Sequence, residues 1–588
     1  MRPGWTGADV RAAEQPFLEQ GRGPALMATA ARALAMRCRR LLRERRGRLA
    51  GARAVLLAGK GNNGGDGLWA AADLRRAGVS VTAIPTADRL HEEGARALRE
   101  AGGIIAERAL DEDGIEAALE LMLGADLVLD AVLGTGASGG LRGPVADLAQ
   151  ALGDRLGDSR GRGPIVVAVD LPSGLGADGG PLEGPVLPAR CTVTFGAAKA
   201  AQLCAPGDRV CGELVLAPIG LEDELPLPAA LRLEDADLDA LWPRPDAEDH
   251  KYTRGVVGVV AGSADYPGAA LLTVRAAQAA GTGMVRYLGD ESTQRLVNLT
   301  APEAVVSDQA PSEAHVQAWI AGPGAVDEAQ RRRVREVIDE ALDRGIPAVL
   351  DAGALETAGR CLADRRLRPW IVLSPHAGEM AELLAWCEAW GLLPQDAQPP
   401  QREQIEADPG RWARIGAEAT GATILLKGAT TVIAAPSAEG SAGAEAAAGS
   451  EADDGHTSRA GSDEPGGGRG EGSRDSGRAP LVAVGTGSPW LATAGSGDTL
   501  SGMIGTLLAH DAGRPERLEG SLGPWLEDAG LPGHLVDETR QLLTGPGRWA
   551  LLAGVACTLQ GRASRARGEG PQPALPEDIR AALTRPSR

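Results

Sequence analysis

A run of five apolar residues, Ala54–Ala58, leads directly into a loop dominated by glycine, asparagine and aspartate. Such a short continuous apolar run is typical of a parallel strand that is buried on both faces. The loop, Gly59–Leu68, reads GKGNNGGDGL and is followed by helical spacing over Trp69–Ala77 and by a second strand pattern at Val79–Ile84. Units of this kind bind ligands at the carboxyl end of the first strand. A tight Asn-Gly turn is the alternative interpretation. Such a turn needs only one asparagine and one glycine, whereas this loop has two asparagines, several glycines and an aspartate.

Two later apolar runs also bring carboxylates to this edge, since Asp130 lies inside the first run and Asp170 directly follows the second. Asp126–Val132 precedes a second glycine-rich loop, and Ile165–Val169 ends in the sequence DLPSG. Because the carboxyl ends of parallel strands meet at one edge of a sheet, we expect these loops to converge. Together the three loops present Asn63, Asp130, Asp170 and Ser173. Oxygen donors without cysteine or histidine favour an alkali or alkaline-earth cation over zinc. The alternative is that Asp130 caps a turn or a helix.

The second half of the chain repeats the alternation of strands and helices, which predicts a mostly parallel sheet with helices on both faces. Its strand patterns end in short loops of small and polar residues, namely Gly322–Gly324, Asp351–Leu355, Ser374–Glu379, Lys427–Thr431 and Thr493–Gly502. The last loop precedes a helical pattern, and a helix start offers free N–H groups to phosphate. Asp498 lies where this anion site would meet a group that is to be deprotonated. The alternative for this loop is a plain helix cap. His376, in the loop Ser374–Glu379, is a candidate ligand contact, and the alternative for it is a structural role.

Length and charge narrow the class of protein. A chain of 588 residues predicts two domains, and a net charge of -19 excludes nucleic acid as a general partner. Apolar runs are too short for a membrane-spanning helix, and the first residues lack the apolar segment of a signal peptide. Seven cysteines form no C-x-x-C pair, so we expect a cytoplasmic protein with reduced thiols and no membrane partner.

The first half of the chain resembles the N-terminal domain of the NAD(P)H-hydrate epimerases. The resemblance is carried by three motifs of the loops described above, GNNGGDG, DAVLGTG and VDLPSG. The resemblance runs from about Asp9, through the leading helices, to Ile219, and it includes Thr192–Lys199. It implies a Rossmann-like domain over residues 1–221 that binds K⁺ and interconverts the R and S epimers of hydrated NADH and NADPH. The implied hydrate contacts are Asn62, Asn63, Gly64, Gly65, Asp66, Gly134, Thr135, Gly136, Ala137, Ser138, Gly139 and Gly140. The implied K⁺ ligands are Asn63, Asp130 and Ser173, and Asp170 would be the proton-transfer group at the nicotinamide ring.

The second half of the chain resembles the ribokinase-like ADP-dependent NAD(P)H-hydrate dehydratases. The resemblance is carried by five loops in a fixed order, namely GPG, DAGAL, SPHAGE, KGATT and GSGD. Fusion of the two parts is the pattern of bifunctional nicotinamide nucleotide repair enzymes. The resemblance implies two doubly wound three-layer α/β/α domains, with a linker at 222–234 and a dehydratase domain at 235–588. The implied reaction removes water from the S hydrate with ADP and Mg²⁺, giving AMP and phosphate, and Asp498 would be the base. Implied hydrate contacts are Ala269, Gly324, His376 and Asp498, and implied AMP contacts are Lys427, Gly428, Ala429, Thr430, Thr431 and Gly497.

This chain departs from both families in places. The leading helix has Leu26–Ala31, LMATAA, where the epimerases usually have Leu-Met-Glu-x-Ala-Gly. Gly485–Gly487 replaces Asn-x-Thr-Gly, and Gln560 replaces a histidine between leucine and glycine. Residues 437–479 lack large apolar side chains and are expected to be disordered, whereas the insertion at about 514–548 is expected to form extra helices.

Three alternatives remain open at this stage. One is a ribokinase-like kinase for a vitamin or a sugar alcohol. The second is an N-terminal domain that acts only as a binding scaffold, and the third is an N-terminal domain that serves only for dimerisation. We expect a homo-oligomer that binds the NAD(P)H hydrate and ADP or AMP.

Overall fold

The computed structural model describes residues 1–136, 139–158, 163–395, 397–437, 478–485, 487–566 and 576–584. Ala137, Ser138, Thr486 and nearly all of the insertion predicted at 437–479 lie outside the described residues. The chain divides into two compact units. The first contains Met1–Arg232, Glu406–Gly410 and Ala529–Leu535, and the second contains Leu233–Ile405, Arg411–Asp528 and Val536–Arg588.

The first unit contains a parallel sheet and eight helices among its described residues. Its strands are β1 (Arg2–Gly4), β2 (Arg53–Ala58), β3 (Ser80–Pro85), β4 (Ile104–Ile105), β5 (Leu127–Ala131), β6 (Ile165–Val169), β7 (Cys191–Phe195), β8 (Glu213–Ala217) and β9 (Ala230–Leu233). Its helices are α1 (Gly7–Glu19), α2 (Gly23–Arg46), α3 (Asn62–Arg76), α4 (Glu92–Glu100), α5 (Ile115–Leu123), α6 (Pro144–Asp158), α7 (Ala200–Leu203) and α8 (Asp208–Cys211). Two 3₁₀ turns cover Glu112–Gly114 and Glu222–Glu224.

The seven parallel strands of the first unit have the order β4-β3-β2-β5-β6-β7-β8. The strand order reverses between β2 and β5, and the glycine-rich loops of the sequence follow these two strands. A crevice at such a reversal is where open α/β sheets bind ligands. Alternate residues of β2 face opposite cores, since Leu56 packs with α2 and α3 whereas Val55 packs with α5 and α6. The first unit is therefore a three-layer α/β/α structure, as the sequence predicts.

One predicted boundary is wrong in the first unit. The glycine-rich stretch is not a loop that precedes a helix at Trp69, because α3 already begins at Asn62. A side-chain carbon on Gly64 would lie 2.0 Å from the carbonyl oxygen of Gly59, and one on Gly67 would lie 2.6 Å from the β-carbon of Ala131. Glycine is required here because the first turns of the helix touch the strand ends. The same contact brings the backbone of α3 close to the edge where a ligand binds.

The predicted linker at 222–234 is more ordered than its sequence indicates. It contains the 3₁₀ turn Glu222–Glu224 and the strand β9. β9 pairs antiparallel with β1, with Gly4 opposite Ala230. The strand Ala230–Leu233 has leucine at alternate positions, as a strand with one buried face does. Its partner strand lies more than two hundred positions away, so the pairing could not be predicted from the local sequence.

The second unit contains nine strands and thirteen helices among its described residues. Its strands are β10 (Val256–Val260), β11 (Met284–Leu288), β12 (Val305–Ser307), β13 (Ala318–Ala321), β14 (Ala348–Leu350), β15 (Ile371–Leu373), β16 (Thr423–Leu426), β17 (Thr431–Ala434) and β18 (Leu481–Val484). Its helices are α9 (Asp235–Leu241), α10 (Pro267–Ala279), α11 (Glu291–Thr300), α12 (Glu328–Arg344), α13 (Gly353–Cys361), α14 (Ala377–Ala389), α15 (Arg402–Ala407), α16 (Pro409–Thr420), α17 (Ser496–Gly513), α18 (Pro515–Asp528), α19 (Gly533–Thr544), α20 (Gly547–Arg565) and α21 (Pro576–Thr584). Two 3₁₀ turns cover Pro311–Glu313 and Pro489–Leu491.

The strand order of the second unit is β12-β11-β10-β13-β14-β15-β16-β17-β18. Pairing is parallel from β12 to β16 and antiparallel for the last two strands. Trp319 of β13 faces a core shared with α12, α13 and α14, whereas Ile320 faces the other side, where it meets Gly505 of α17. These helices on both faces confirm the predicted doubly wound α/β class. The insertion at about 514–548 forms α18 and α19, as expected.

Two further expectations concern the thiols and the membrane. All seven cysteines are buried, and none of them forms a disulfide in the described structure, which is consistent with the prediction of reduced thiols. None of the helices in the described ranges combines the length and the apolar character needed to cross a membrane.

Candidate functional site

Asn63, Asp130 and Ser173 lie at the carboxyl ends of three different strands and form one connected cluster in the first unit. Asp130 is the penultimate residue of β5, whereas Asn63 and Ser173 follow β2 and β6. Asp130 has no exposed surface and accepts hydrogen bonds from the Ser173 backbone N–H at 2.7 Å and from its hydroxyl at 2.5 Å. The Ser173 hydroxyl in turn accepts the N–H of Leu133 at 2.9 Å, and Asn63 Nδ2 donates to the carbonyl of Leu133 at 2.8 Å. The cluster therefore joins the ends of β2, β5 and β6.

This cluster contains oxygen atoms whose bonding capacity is not used. The Oδ1 atom of Asn63 is buried and has no hydrogen-bond partner among the described residues. Burial raises the pKa of Asp130 to about 6, although its hydrogen bonds from Ser173 and Val132 act in the opposite direction. In the part of the chain that is described, no cationic side chain pairs with Asp130. A buried carboxylate beside an unused amide oxygen is a suitable environment for a cation of low charge.

Asp170 lies in the same crevice and is held by a second set of contacts. Its backbone is left-handed, with φ of 64°, a conformation that costs energy and persists mainly where the surroundings enforce it. The carboxylate Oδ1 forms an ion pair with Lys199, which is only 1% exposed, and accepts the N–H of Phe195 and the hydroxyl of Thr194, both at 3.2 Å. Gln202 fixes the main chain by donating to the Asp170 carbonyl at 2.7 Å. Among the described residues, every hydrogen bond to this carboxylate reaches Oδ1, so Oδ2 is available to a ligand.

Two further carboxylates surround this ion pair. Asp66, on the second turn of α3, is 8% exposed, and its Oδ1 has no hydrogen-bond partner among the described residues. Burial, with repulsion from Asp170 and Glu14, holds the pKa of Asp66 well above its ordinary value. The pKa of Glu14, on α1, is raised by burial and by Asp170, against the attraction of Lys199 and Arg11. The crevice thus combines one ion-paired carboxylate with acids that keep their protons to higher pH.

In the second unit the predicted loops follow neighbouring parallel strands. Gly322–Gly324 follows β13, Asp351 follows β14, His376 follows β15 and Lys427 follows β16. A side-chain carbon on Gly322 would lie 1.9 Å from the carbonyl oxygen of Asp351, which shows how closely two of these loops approach. The loops therefore form one edge of the sheet.

The stretch Thr493–Gly502 brings the start of α17 to this edge. Gly495 precedes the helix with φ of 88°, a left-handed conformation that glycine adopts without strain. No side chain caps α17 in the described structure, so the N–H groups of Gly497 and Asp498 point out of the first turn without a capping partner. A side-chain carbon on Gly497 would lie 3.2 Å from Asp351 Oδ2 and 3.8 Å from Lys427 Nζ. The helix start therefore adjoins a charged network.

That network consists of Asp351, Lys427 and Glu379. Lys427 Nζ donates to Asp351 Oδ1 at 2.6 Å and lies 3.7 Å from Glu379 Oε2, and Ser501 donates to Asp351 Oδ2 at 3.2 Å. Burial by itself would lower the pKa of Lys427, but attraction by Asp351 and Glu379 outweighs it, and the pKa is raised. Burial and repulsion by Asp351, opposed by Lys427, raise the pKa of Asp498 to about 6. Asp498 is therefore able to take up a proton near neutral pH.

The remaining predicted residues line the rim of the same edge. His376 is exposed, and its Nδ1 caps α14 by accepting the N–H groups of Gly378 and Glu379 at 3.0 and 3.2 Å. Its ring therefore has the structural role that the sequence left open, and its Nε2 lies 3.6 Å from Glu379 Oε2. Ala269 lies on the first turn of α10, and a side-chain carbon on Gly324 would lie 2.8 Å from it. Gly428 and Ala429 are exposed, whereas Thr430 is buried.

Several residues of these sites were not singled out from the sequence. They are Glu14, Lys199, Asp351, Glu379, Ser501 and Gln560. Asp351 could have been found from the sequence, because it directly follows a strand pattern and begins the DAGAL loop. Lys199 could have been found as the last residue of the TVTFGAAK motif. Gln560 was noted only as a departure, yet its Nε2 donates to the carbonyl of Ser496 at 2.7 Å. It therefore ties α20 to the first residue of α17, two positions before Asp498.

The change Gln560→Leu is expected to lower kcat for the reaction at Asp498 about fivefold with little effect on folding, because one hydrogen bond to the helix start is lost. The matched variant Gln560→His retains a donor and is expected to keep most of the activity. Steady-state kinetics with both variants and thermal unfolding as a folding check provide the measurement. Equal kinetics for the wild type and Gln560→Leu would contradict this positioning role.

Comparisons with known protein families cover both units. Residues 23–201 match the family described as YjeF-related protein N-terminus. Residues 257–453 and 476–519 match the family described as NAD(P)H-hydrate dehydratase. The two matches follow each other in the order of the two units.

Individual relatives extend over most of the chain. A bifunctional NAD(P)H-hydrate repair enzyme of Mycobacterium tuberculosis is 37% identical over 517 residues, which is 87% of this chain and 89% of that protein. An NAD(P)H-hydrate epimerase of Clavibacter michiganensis is 40% identical over 222 residues, 37% of this chain and 91% of that protein. A solved structure of the ADP/ATP-dependent NAD(P)H-hydrate dehydratase from Bacillus subtilis, co-crystallized with ATP and Mg²⁺, covers 54% of this chain and 97% of its own at 24% identity, with a TM-score of 0.33.

Proposed function

This chain belongs to the bifunctional NAD(P)H-hydrate repair enzymes, and we propose that its two reactions are divided between the two sites described above. Family membership confirms the resemblance of both halves and makes the chain an epimerase joined to a dehydratase. The crevice of Asp130 and Asp170 is assigned to epimerisation of the hydrate. The edge that carries Asp498 is assigned to dehydration of the S form, with ADP as the phosphoryl donor.

Hydroxide is a poor leaving group, so dehydration is assigned to two steps. The hydroxyl oxygen of the hydrate attacks the terminal phosphoryl group of ADP and loses its proton, while the bond to the AMP oxygen breaks. The resulting phosphate ester then breaks at its carbon–oxygen bond, phosphate leaves, and loss of a proton from the neighbouring carbon restores the double bond of the ring. The products are NAD(P)H, AMP and phosphate, and all atoms are conserved.

Asp498 is assigned as the base that takes the hydroxyl proton. The observation that carries this assignment is its place at the uncapped start of α17, with a pKa raised to about 6. A base with this pKa is ionised at neutral pH and still accepts a proton effectively. Its position places the proton acceptor and two backbone N–H donors on the same helical turn.

The same turn supplies the groups that stabilise the phosphoryl group. The N–H groups of Gly497 and Asp498, and the positive end of the helix dipole, would meet the phosphoryl oxygens. Lys427 adds a positive charge beside them, and the loop Lys427–Thr431 is assigned to the AMP part. Mg²⁺ would supply additional charge neutralisation at the nucleotide phosphates, and Asp351 and Glu379 are the carboxylates that lie close enough to take part in holding it. Ala269, Gly324 and the exposed ring of His376 are assigned to the hydrate.

In the first unit, epimerisation requires the hydroxyl-bearing carbon of the ring to break its bond to one heteroatom and to re-form it on the opposite face, with a proton given to the departing heteroatom and taken back when the bond re-forms. Oδ2 of Asp170 is assigned to that proton, because Oδ1 is occupied by Lys199, Thr194 and Phe195. Asp66 retains its proton to higher pH and provides a second proton-carrying group beside it. The other predicted contacts of the hydrate are assigned to the same crevice, namely Asn62, Gly64, Gly65, Gly134, Thr135, Gly136, Gly139 and Gly140. Ala137 and Ser138 lie outside the described residues.

K⁺ is proposed at Asn63, Asp130 and Ser173. The fit rests on the buried Oδ1 of Asn63, which has no hydrogen-bond partner in the described structure, and on the buried charge of Asp130. A monovalent cation there would supply a positive charge that keeps Asp130 ionised beside the substrate. Homo-oligomer formation stays a prediction.

The proposed function is tested by mixing the full chain with both epimers of NADH hydrate and ADP. The expected result is complete recovery of the absorbance of the reduced ring, with one AMP formed for each ring. Omission of ADP is expected to stop recovery while the two epimers still exchange. Phosphate transfer to a vitamin or sugar alcohol, without recovery of the ring, would instead support the kinase interpretation.

The pH dependence of dehydration is expected to follow Asp498. Because the base must be unprotonated, kcat/KM is expected to fall about tenfold for each pH unit below about 6. Asp351→Asn removes the neighbouring negative charge and leaves Lys427 to attract Asp498, so the pKa of Asp498 falls. The acid limb of the pH profile is expected to move to lower pH, which initial rates between pH 4.5 and 8, under a common ionic strength, would measure. If the acid limb of the profile does not move, a group other than Asp498 is responsible for it.

Potassium is expected to stabilise the wild type but not Asp130→Asn. Binding to the folded state alone adds about 2.7 kcal/mol at a concentration one hundred times Kd. The measurement is thermal unfolding in potassium chloride against choline chloride at equal ionic strength. Asp126→Asn, before the start of β5, is the matched control and should keep the potassium response even though it loses its pair with Arg46. A potassium response retained by Asp130→Asn would contradict the site.

A further inference from the structure

Two adjoining hollows lie in the second unit at the last turn of α17. Their volumes are about 360 and 320 Å³, in the lower part of the range for small-molecule sites. They share five residues, namely Asp239, Trp242, Pro243, Arg244 and His510. The insertion at about 514–548 contributes part of the wall, including Arg517 and Leu518. We call this continuous space the arginine cavity.

The arginine cavity is separate from the proposed dehydratase site. Asp498 lies on the first turn of α17, and His510 lies twelve positions later on its last turns. At 1.5 Å for each residue, the two are about 18 Å apart along the helix axis. A ligand in the arginine cavity therefore does not occupy the position assigned to the phosphoryl group.

Positive charge predominates in the first hollow. Among the described residues, its lining includes Arg244, Arg254 and Arg562 but a single carboxylate, Asp239. Asp239 accepts two hydrogen bonds from Arg562, at 2.9 and 3.2 Å, and lies 3.7 Å from Arg244. One carboxylate therefore serves two arginines in a protein whose net charge is -19. Such an excess of positive charge is a suitable environment for an anion.

Arg254 is the least compensated of these arginines. Its Nη2 donates to the carbonyl of Gly281 at 2.7 Å, and its Nε is buried without a hydrogen-bond partner. Within the described ranges, no carboxylate lies within ion-pair distance of it. By contrast, Arg514 and Arg517, on the other side of the cavity, are each paired with Asp246 and Asp249. A partly buried guanidinium without an anion is costly, and an external anion would remove that cost.

The other walls of the arginine cavity indicate which chemical groups a bound anion would carry besides its negative charge. His510 is buried, and burial, with repulsion by Arg254, lowers its pKa to about 4. Its imidazole is therefore neutral at physiological pH and offers a hydrogen bond rather than a charge. The remaining lining of the first hollow is largely apolar and includes Leu238, Trp242 and Leu583.

We propose that the arginine cavity binds a small organic anion, a phosphate monoester or carboxylate attached to a compact apolar ring, with its charged end between Arg244 and Arg254. The ring would lie against Trp242 and the apolar walls. Charge-assisted hydrogen bonds from guanidinium groups are the strongest contacts that this cavity offers to such a ligand. The site is independent of the proposed function of Asp498.

The test is calorimetric titration of the full chain with phenyl phosphate and, separately, with benzoate. Binding of at least one probe to the wild type is expected, and the stronger of the two identifies the anionic group that the cavity prefers. Arg254→Gln is expected to weaken that binding about tenfold or more. Arg331→Gln, an exposed arginine of the same unit paired with Glu356, is the matched control and should bind as the wild type does.

Two further variants separate binding from folding and from catalysis. Arg244 is exposed, so Arg244→Gln should fold normally and weaken binding several-fold even if Arg254→Gln does not fold. Asp498→Asn should bind the probe as the wild type does, which would place the probe outside the dehydratase site. Absence of binding of both probes to the wild type, or equal binding by both arginine variants and the wild type, would overturn the proposal. Loss of binding in Asp498→Asn would also overturn it, because the probe would then occupy the other site.

Discussion

Asp498→Asn is expected to lower the rate of dehydration about 1000-fold, the contribution typical of a positioned general base, while epimerisation continues at the wild-type rate. Asparagine keeps the size of the side chain but cannot accept the proton of the hydroxyl group. The two activities are assigned to different units, so the epimerase provides an internal measure of intact protein. Ring absorbance follows dehydration, and chromatographic separation of the epimers follows exchange.

This loss is expected without a loss of stability. The pKa of Asp498 is raised on folding, so the free energy of unfolding falls as the pH rises from the ordinary value of 3.8 to about 6, and the full cost of the charge remains at higher pH. Asparagine resembles the protonated state, and the melting temperature at pH 8 should be equal or higher. Asp528→Asn, at an exposed position of the same unit, serves as the matched control. Dehydration by Asp498→Asn at more than a tenth of the wild-type rate would remove Asp498 from the role of base.

The strands of both units could be predicted well, and the physical reason is burial. A parallel strand covered by helices on both faces needs a continuous apolar run. The run Ile165–Val169 matches β6 residue for residue, and β13, β14 and β15 end directly before the predicted loops that begin at Gly322, Asp351 and Ser374. The start of α3 was predicted seven residues too late. Glycine disfavours helix in isolation, whereas in the fold the glycines at the start of α3 are needed for contact with β2 and β5.

The convergence of Asn63, Asp130 and Ser173 could also be predicted, because each lies at the carboxyl end of a strand of the same parallel sheet. The partners of the acids could not. Lys199 reaches Asp170 across 29 positions, and Gln560 reaches Ser496 across 64 positions, contacts that depend on tertiary packing. Without them, the sequence does not indicate which oxygen of Asp170 is free or what holds the start of α17.

Asp170→Asn is expected to lower epimer exchange about 1000-fold, because the amide cannot carry the proton assigned to Oδ2. Asparagine tolerates the left-handed backbone at this position better than most residues do. The change leaves the Lys199 ammonium group buried without its partner, which is expected to reduce the free energy of unfolding of the first unit by about 3 kcal/mol. That figure is at the lower end of the range for a broken buried pair, because Glu14 also attracts Lys199.

A second substitution separates the chemical role of Asp170 from this structural one. Asp170→Asn combined with Lys199→Met removes both charges, so much of the lost stability should return, since apolar replacement of a buried pair is often neutral. Epimer exchange should remain as low as in Asp170→Asn. If exchange instead returned together with stability, Asp170 would be a structural partner of Lys199, and the proton transfer would have to be assigned to another acid of the crevice, with Asp66 as the first candidate. Unfolding in urea and exchange of the separated epimers, measured on the same preparations, distinguish these outcomes.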